Sequence, residues 1–411
     1  MNNLTKKIKT MRWRVASFGA RHFYGNPSAK LKIVGVTGTN GKTTTATLLY
    51  KIATELGFKA GLIGTVENII AGEKREATHT TPDSISLTKL LREMLDKDCE
   101  YVFMEVSSHA LDQNRVAGIN FTGAIFTNLT HDHLDYHKSF DNYFRAKKKL
   151  FKMLPARAFA LSNVDDRYGR QILEGTRARK FLYGFKENDD FFGEIKKIDF
   201  NGLDLVFNNT NIHSMLLGRF NANNLLSVWG ACKLLEFDMT AVKKIIEQIE
   251  PPRGRFEHFL SPNGVLIIVD YAHSPDSLEK ILLAIKELKS GQGKIISVFG
   301  CGGDRDPMKR KIMGHIGTAL SDIAIFTSDN PRSEDPEKII DQMKEGLSDL
   351  DLKKVITIAN RRDAILESMK LAQKGDIILC AGKGHEDYQE INGIKRHFDD
   401  VEEFKKIFQQ K

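Results

Sequence analysis

The chain has 411 residues, too many for one ordinary hydrophobic core, so two or three domains are expected. It is 41% hydrophobic and 28% charged, and no apolar run reaches the ~18 residues that a bilayer-spanning helix needs. The formal charge of +8 sits at the front: residues 1–32 hold Lys6, Lys7, Lys9, Arg12, Arg14, Arg21, Lys30 and Lys32 with no acid. Subtracting those eight from 61 basic residues leaves 53 against 53 acidic ones, which argues against a protein-wide nucleic-acid footprint.

Within that tail Leu4, Ile8, Met11, Val15 and Phe18 follow helical spacing between basic residues. This reads as a helix docked on the protein body, with a membrane-surface or partner contact through residues 1–20 as the alternative. The four cysteines, Cys99, Cys232, Cys301 and Cys380, form no C-x-x-C pair, which points to a reducing cytosol and no structural zinc.

Strand-like runs at 31–37, 59–65, 100–106, 121–128 and 157–163 alternate with helical patterns at 42–57, 84–97 and 139–153. That rhythm predicts an α/β domain with a mostly parallel sheet. Residues 180–215 break it with short alternating strands, read as a small antiparallel addition. After the hinge-like Pro251 to Phe259 stretch, a second, Rossmann-like α/β series has strands near 264–269, 293–299, 322–327, 353–358 and 375–380. The expected division is a tail of 1–32, a central domain of 33–252 and a C-terminal domain of 253–411.

Between the first strand and helix lies Gly38-Thr39-Asn40-Gly41-Lys42-Thr43-Thr44. The usual G-x-x-x-x-G-K-[ST] phosphate loop would have glycine at 36, where this chain has Val36. Two glycines still let backbone N–H groups turn toward an anion at a helix N-terminus, with Lys42 reaching the β/γ phosphates and Thr43 ligating Mg²⁺. Kinase, GTPase and ligase all remain open on this loop alone.

Glu105 ends a strand, where α/β sites form. The next strand runs into a stretch that packs His131, Asp132, His133, Asp135 and His137 into seven residues, a pattern for a metal or phosphate site or for plain loop polarity. Lys147, Lys148 and Lys149 fall on a helix and read, on helix chemistry alone, as a solvated face. Further on, Asn330 and Arg332 in S-D-N-P-R and Arg305 in G-G-D-R-D offer two guanidinium groups. These suit an amino-acid substrate with an extra carboxylate, surface ion pairing being the alternative. Glu386 is placed to hold that substrate's distal ammonium.

The whole run of motifs resembles the Mur ligase family of ATP-dependent amide-forming enzymes. It comprises GTNGKTT at 38–44, TTPD at 80–83, EVSSHALDQNRV at 105–116, TNLTHDHLDYH at 127–137 and the lysine at 147. It continues through GRFNANN at 218–224, DYAHSPDSL at 270–278, GCGGDRDPMKR at 300–310, DNPR at 329–332 and AGKGHEDYQ at 381–389. The resemblance implies a P-loop ATPase domain followed by an α/β domain, using ATP and two Mg²⁺ ions. Thr43 and Glu105 would hold one ion, and His133 would stand beside the second. Lys147 would be a carbamoylated lysine that supports the metal, and Lys42, Lys147 and His133 would be catalytic.

Gly38, Thr39, Asn40, Gly41, Lys42, Thr43, Thr44, Asn221, Asn224, Asp270 and His273 would surround the nucleotide. Thr80, Thr81, Ser107, Gln113 and Arg115 would bind the acceptor; Arg305, Asn330, Arg332, Gly382 and Glu386 the amino acid. The D-N-P-R form implies meso-diaminopimelate, added to UDP-N-acetylmuramoyl-L-Ala-D-Glu by a cytoplasmic monomer in peptidoglycan synthesis. The family carries an N-terminal domain that grips the uridine diphosphate. Its expected absence here leaves the basic tail, or a non-UDP, lipid-linked or pseudomurein-like acceptor, as alternatives. Folylpolyglutamate synthesis is the same chemistry on a pterin, and the EVSSHALDQNR and DNPR runs argue against it. The intact Lys42, Glu105, His133 and Lys147 argue against a non-catalytic scaffold.

Overall fold

The computed structural model describes residues 19–409 except 131, 187–188, 290 and 292. The amphipathic segment of Leu4 to Phe18 and His131 therefore lie outside the described residues. Two compact units divide the chain. The first comprises 1–197, 203–215 and 219–249, and the second 198–202, 216–218 and 250–411.

In the first unit the strands are β1 (Lys32–Thr37), β2 (Ala60–Ile63), β3 (Glu67–Ile70), β4 (Glu73–Glu76), β5 (Tyr101–Glu105), β6 (Phe121–Phe126), β7 (Phe159–Asn163) and β8 (Arg179–Gly184). β9 (Phe191–Asp199), β10 (Gly202–Phe207) and β11 (Thr210–Ser214) complete an eleven-stranded sheet in the order β11-β10-β9-β8-β7-β6-β1-β5-β2-β3-β4. From β9 to β2 the pairings are parallel. β1, β5 and β7 are buried at nearly every position, as strands covered on both faces must be. The hydrophobic pattern thus becomes a doubly covered sheet whose strand C-termini share one edge.

Residues 180–215 are only partly antiparallel. β8 runs parallel to β7 because the chain returns through the short helix Gly169–Ile172, a crossover that restores strand direction. β10 and β11 form an antiparallel hairpin there, closed by Asn208 and Asn209 at φ 42° and 66°, the left-handed pair that a tight two-residue turn requires.

The second unit has β12 (Glu257–Leu260), β13 (Leu266–Asp270), β14 (Ile295–Phe299), β15 (Ile323–Phe326), β16 (Val355–Thr357) and β17 (Ile377–Ala381), in the order β12-β13-β17-β14-β15-β16. Only β12 is antiparallel. Two apolar layers cover the sheet, one including Ile268, Leu282, Phe299 and Phe326, the other Ile267, Val298, Ile365 and Phe404. A hairpin of β18 (Tyr388–Ile391) and β19 (Ile394–His397) follows β17. All four cysteines are buried and free, and no helix among the described residues is long and apolar enough to cross a membrane.

One buried ion pair clasps this second unit. Arg361, first residue of the helix Arg361–Leu371, donates from Nε and Nη2 to the two carboxylate oxygens of Asp400 at 2.8 and 2.7 Å, and from Nη2 to the Ala381 carbonyl at 3.0 Å. Both side chains are fully buried. Replacing only the arginine strands a charge in the interior, whereas replacing both removes the demand for a partner. Arg361→Met is expected to cost about 3–5 kcal/mol, read by scanning calorimetry as a lowered Tm. Arg361→Met combined with Asp400→Leu should lose less.

Candidate active site

The loop between β1 and the helix Lys42–Glu55 is held by the loop after β6. Thr39 N–H donates to the Asn128 carbonyl at 2.9 Å and Asn40 N–H to Asn128 Oδ1 at 2.9 Å. Thr127 Oγ1 and Asn128 Nδ2 both donate to the Asn40 carbonyl, at 2.6 and 3.1 Å. A Cβ at Gly38 would overlap the Thr127 hydroxyl, so the close approach of the two loops requires glycine there. Gly41, at φ 86°, begins the helix with no side-chain cap, leaving the helix N-terminus to another acceptor. Asn224 stands directly against Gly41 and donates to Asn221 Oδ1 at 3.0 Å. Thr44 is buried on the first turn of the helix.

Lys42 Nζ lies along the loop, donating to the carbonyls of Gly38 and Thr39 at 2.9 and 2.7 Å. Lys147, from the helix Phe140–Met153, reaches the same Gly38 carbonyl at 2.6 Å and is only 1% exposed. Burial pushes its pKa well below the usual lysine value; nearby Lys42 adds to this and Asp132 opposes it. The solvated-face reading from helix chemistry alone therefore fails for Lys147, the lysine that the resemblance sets apart from Lys148 and Lys149. Lys148 is largely covered and pairs with Glu174 at 2.9 Å, while Lys149, its side chain 41% exposed and 3.4 Å from Asp112, stays at the solvated surface. The helix lies against the protein on more of its circumference than a lysine triplet suggests.

Glu105, 1% exposed at the end of β5, accepts from Thr43 Oγ1 at 2.9 Å, Thr65 N–H at 2.7 Å and Thr65 Oγ1 at 3.1 Å. Thr65 was not singled out in the sequence; the available signal was a threonine just past the C-terminal end of a strand. Its hydroxyl also shares a hydrogen bond with the Thr80 hydroxyl at 3.0 Å, in which Thr80 is free to donate. Thr81 donates to the Glu105 carbonyl at 2.8 Å and accepts from Ser107 N–H at 3.0 Å. Arg115 donates to the Thr81 carbonyl at 2.9 Å and to Gln113 Oε1 at 2.8 Å. Thr80, Thr81, Ser107, Gln113 and Arg115 thus form one continuous polar network starting at Glu105.

His133 adopts φ 53° and packs edge-on against His109, at 4.9 Å between ring centroids, and against Tyr143 at 6.1 Å. Tyr143 also carries the Lys147 ammonium over its ring at 4.7 Å and shares a hydrogen bond with Thr39 Oγ1 at 3.1 Å. Tyr143 therefore joins the histidine loop, Lys147 and the phosphate loop, a role its place in a helical pattern did not reveal. Among the described residues no three His, Cys, Asp or Glu side chains converge as a metal-ligand group. Thr43 and Glu105, however, are adjacent hard oxygen donors of the kind Mg²⁺ takes beside phosphate oxygens and water.

In the second unit the C-terminal ends of β13, β14, β15 and β17 bring their loops together at the sheet's switch point. Asp270 accepts from Phe256 N–H at 2.7 Å; burial raises its pKa to about 6 against the opposing pull of Arg255 and two backbone N–H groups. His273 is exposed and engages the Tyr271 carbonyl at 2.7 Å. Arg305 and Arg332 flank Gly302, and Arg332 donates to the Gly303 carbonyl at 2.8 Å. Asn330 Nδ2 donates to Glu386 Oε2 at 2.8 Å. Gly382 takes φ 114°, and a Cβ there would press on Asp329 Oδ2 at 2.8 Å, so the two loops meet at a residue without a side chain. Lys383 lies fully buried between them, a residue within a quoted motif to which no role was given.

Models of two domains match this chain: the Mur ligase middle domain over residues 36–232, and the Mur ligase glutamate ligase domain over 254–384. The UDP-N-acetylmuramoyl-L-alanyl-D-glutamate–2,6-diaminopimelate ligase of Parabacteroides distasonis is 50% identical over 386 residues, spanning 94% of this chain and 79% of that protein. The chain belongs to the Mur ligase family. A solved structure of a ligase of that same name is 33% identical and aligns at a TM-score of 0.66, over 92% of this Mur ligase and 78% of that chain. The Mycobacterium tuberculosis folylpolyglutamate synthase aligns at 0.73 over 90% of this chain and 93% of its own, but at 17% identity it shares the fold alone.

Two outcomes are expected from this geometry. Gly38→Ala should displace the phosphate loop from Thr127 and lower kcat/KM for ATP by about 10²-fold, the scale of a misplacement near 1 Å; steady-state kinetics read it. His385, in the loop after β17, has its pKa lowered to about 3 by burial first, then by Arg255, Arg253, His273 and Lys383. An imidazole that titrates near 6.5 when unfolded and near 3 when folded gives stability that is lost as pH falls through that window. His385→Gln should therefore flatten the fall of Tm from neutral pH toward pH 4.

Proposed function

We propose that this Mur ligase joins meso-diaminopimelate to UDP-N-acetylmuramoyl-L-Ala-D-Glu using ATP, in the cytoplasmic stage of peptidoglycan synthesis. The observation that carries this is half-identity, along nearly the whole chain, to a protein named for that ligation. The meeting of Asn330 and Glu386 beside Arg305 and Arg332 supports it.

The acceptor's carboxylate attacks the ATP γ-phosphorus in line, giving an acyl phosphate and ADP. The incoming amine then adds to that carbonyl, and collapse of the tetrahedral adduct expels phosphate. The protein supplies position and charge rather than a covalent nucleophile. Gly38 to Thr44 present N–H groups and the Lys42 ammonium to the phosphates, with Asn221 and Asn224 beside them. The network of Thr80, Thr81, Ser107, Gln113 and Arg115 orients the acceptor next to Glu105.

Thr43 and Glu105 would hold one Mg²⁺, and His133 with a carbamoylated Lys147 would hold a second. Such ions neutralise charge on a phosphoryl group in transfer. Lys147 suits the modification because burial favours its neutral amine, the form that adds CO₂. In that addition an N–C bond forms, one proton leaves, and a carbamate anion remains. Arg305 and Arg332 bind carboxylates of the diamino acid, while Asn330, Gly382 and Glu386 receive its ammonium end.

Coupled ADP-release assays with purified enzyme, ATP and the UDP-muramoyl dipeptide should turn over meso-diaminopimelate; faster turnover with L-lysine would overturn the assignment. Lys147→Ala should lower kcat by about 10²–10³-fold, the usual loss when a charge stabiliser is removed. Depleting CO₂ should inactivate the parent enzyme reversibly, and full activity in the variant would remove the role given to Lys147.

A further inference from the structure

We propose that Lys383 is a positioning residue of the amino-acid site, locking Glu386, Asp329 and Asn330 into a seat with one negative charge left over for a substrate ammonium. This deepens the reading above and rests on its assignment of Asn330 and Glu386 to the incoming amino acid.

The Lys383 ammonium has no exposed surface. It lies 3.3 Å from Asn330 Oδ1, 3.5 Å from Glu386 Oε2 and 4.0 Å from Asp329 Oδ1, with the Tyr388 ring centroid at 5.5 Å. A buried ammonium needs partners, and these come from the two loops assigned to the amino acid. Two carboxylates against one ammonium leave a single uncompensated negative charge, which a substrate ammonium would balance.

Lys383 also fixes the direction of the Asn330 amide. Asn330 Oδ1 accepts from Lys383 Nζ and from Glu390 N–H at 2.9 Å, so its Nδ2 is turned to Glu386 Oε2. The other charged or titratable groups facing Glu386 do not change the count. Arg332 and Glu390 pair with each other at 3.6 Å. The Tyr271 and Tyr388 hydroxyls have pKa values raised above the ordinary phenol, and His385 is held neutral.

Burial, and then Asp329, already raise the pKa of Glu386, while Lys383 and Asn330 pull it back down. Without Lys383 one of the pulls that hold the carboxyl ionised is gone, so the charge that attracts the substrate weakens as pH falls and returns as pH rises. A packing role alone has no such dependence.

The test is the KM for meso-diaminopimelate between about pH 6.5 and about pH 9 in the parent, Lys383→Met, Glu386→Gln and the double variant. Lys383→Met is expected to raise that KM about tenfold or more at neutral pH, one pKa unit being a factor of ten. The excess over the parent should shrink as pH rises, with the KM for ATP and for the acceptor near parental. On the Glu386→Gln background, Lys383→Met should add no pH dependence. A variant-to-parent ratio that stays constant with pH, or a joint rise in all three KM values, overturns the role of Lys383. Glu386→Gln with a parental KM overturns instead the assignment of Glu386, and Lys383 falls with it. Should Lys383→Met not fold, Lys383→Gln carries the same expectation.

Discussion

The first unit depends on one buried carboxylate. Glu105 sits at the end of β5, between β1 and β2 in the sheet, and its two oxygens are shared by Thr43 and Thr65. Thr43 lies on the first turn of the helix after the phosphate loop and Thr65 follows β2, so one side chain ties together structure from three adjacent strands. A carboxylate this buried is stable only while donors surround it. The demand for those donors draws the helix after the phosphate loop and the turn after β2 to one place, and the Thr80–Thr81 segment and the Ser107 turn join it through Thr65 and the Glu105 backbone carbonyl.

The second unit solves the same problem differently. There the loops after β14, β15 and β17 converge because alternate strands of a parallel sheet must be connected across its face, which leaves a crevice at their C-terminal ends. Glycine at 382 allows the approach, and the Arg310–Glu334 pair stiffens it. Arg310 is 1% exposed, donates to both Glu334 oxygens at 2.8 Å and reaches the Gly302 carbonyl at 3.3 Å, while the same glutamate accepts from Asp304 N–H at 2.6 Å. The exposed Arg305 and partly buried Arg332 project from a braced frame.

Membership of the Mur ligase family, and the α/β architecture with it, was legible in the motif order. The phosphate loop could be read despite Val36 because its glycines answer a steric need at 38 and a left-handed backbone at 41. The β8 strand was misread because alternation of side chains reports which face a residue occupies, and carries no information on strand direction. Thr65, Tyr143 and Lys383 were passed over for a related reason. Each matters through partners far away in sequence: Thr65 through Glu105, Tyr143 through Thr39, and Lys383 through Asp329 and Asn330.

The sequence by itself determined the periodic elements, the glycine-dependent loops and the residue types that ATP-driven amide formation needs, since these follow from local backbone sterics and side-chain chemistry. Only the tertiary structure decided that Lys147, singled out of the 147–149 triplet by its motif, is buried against Gly38, and which carboxylates share a cation. Burial and charge compensation arise between segments as much as a hundred residues apart, where no local pattern records them.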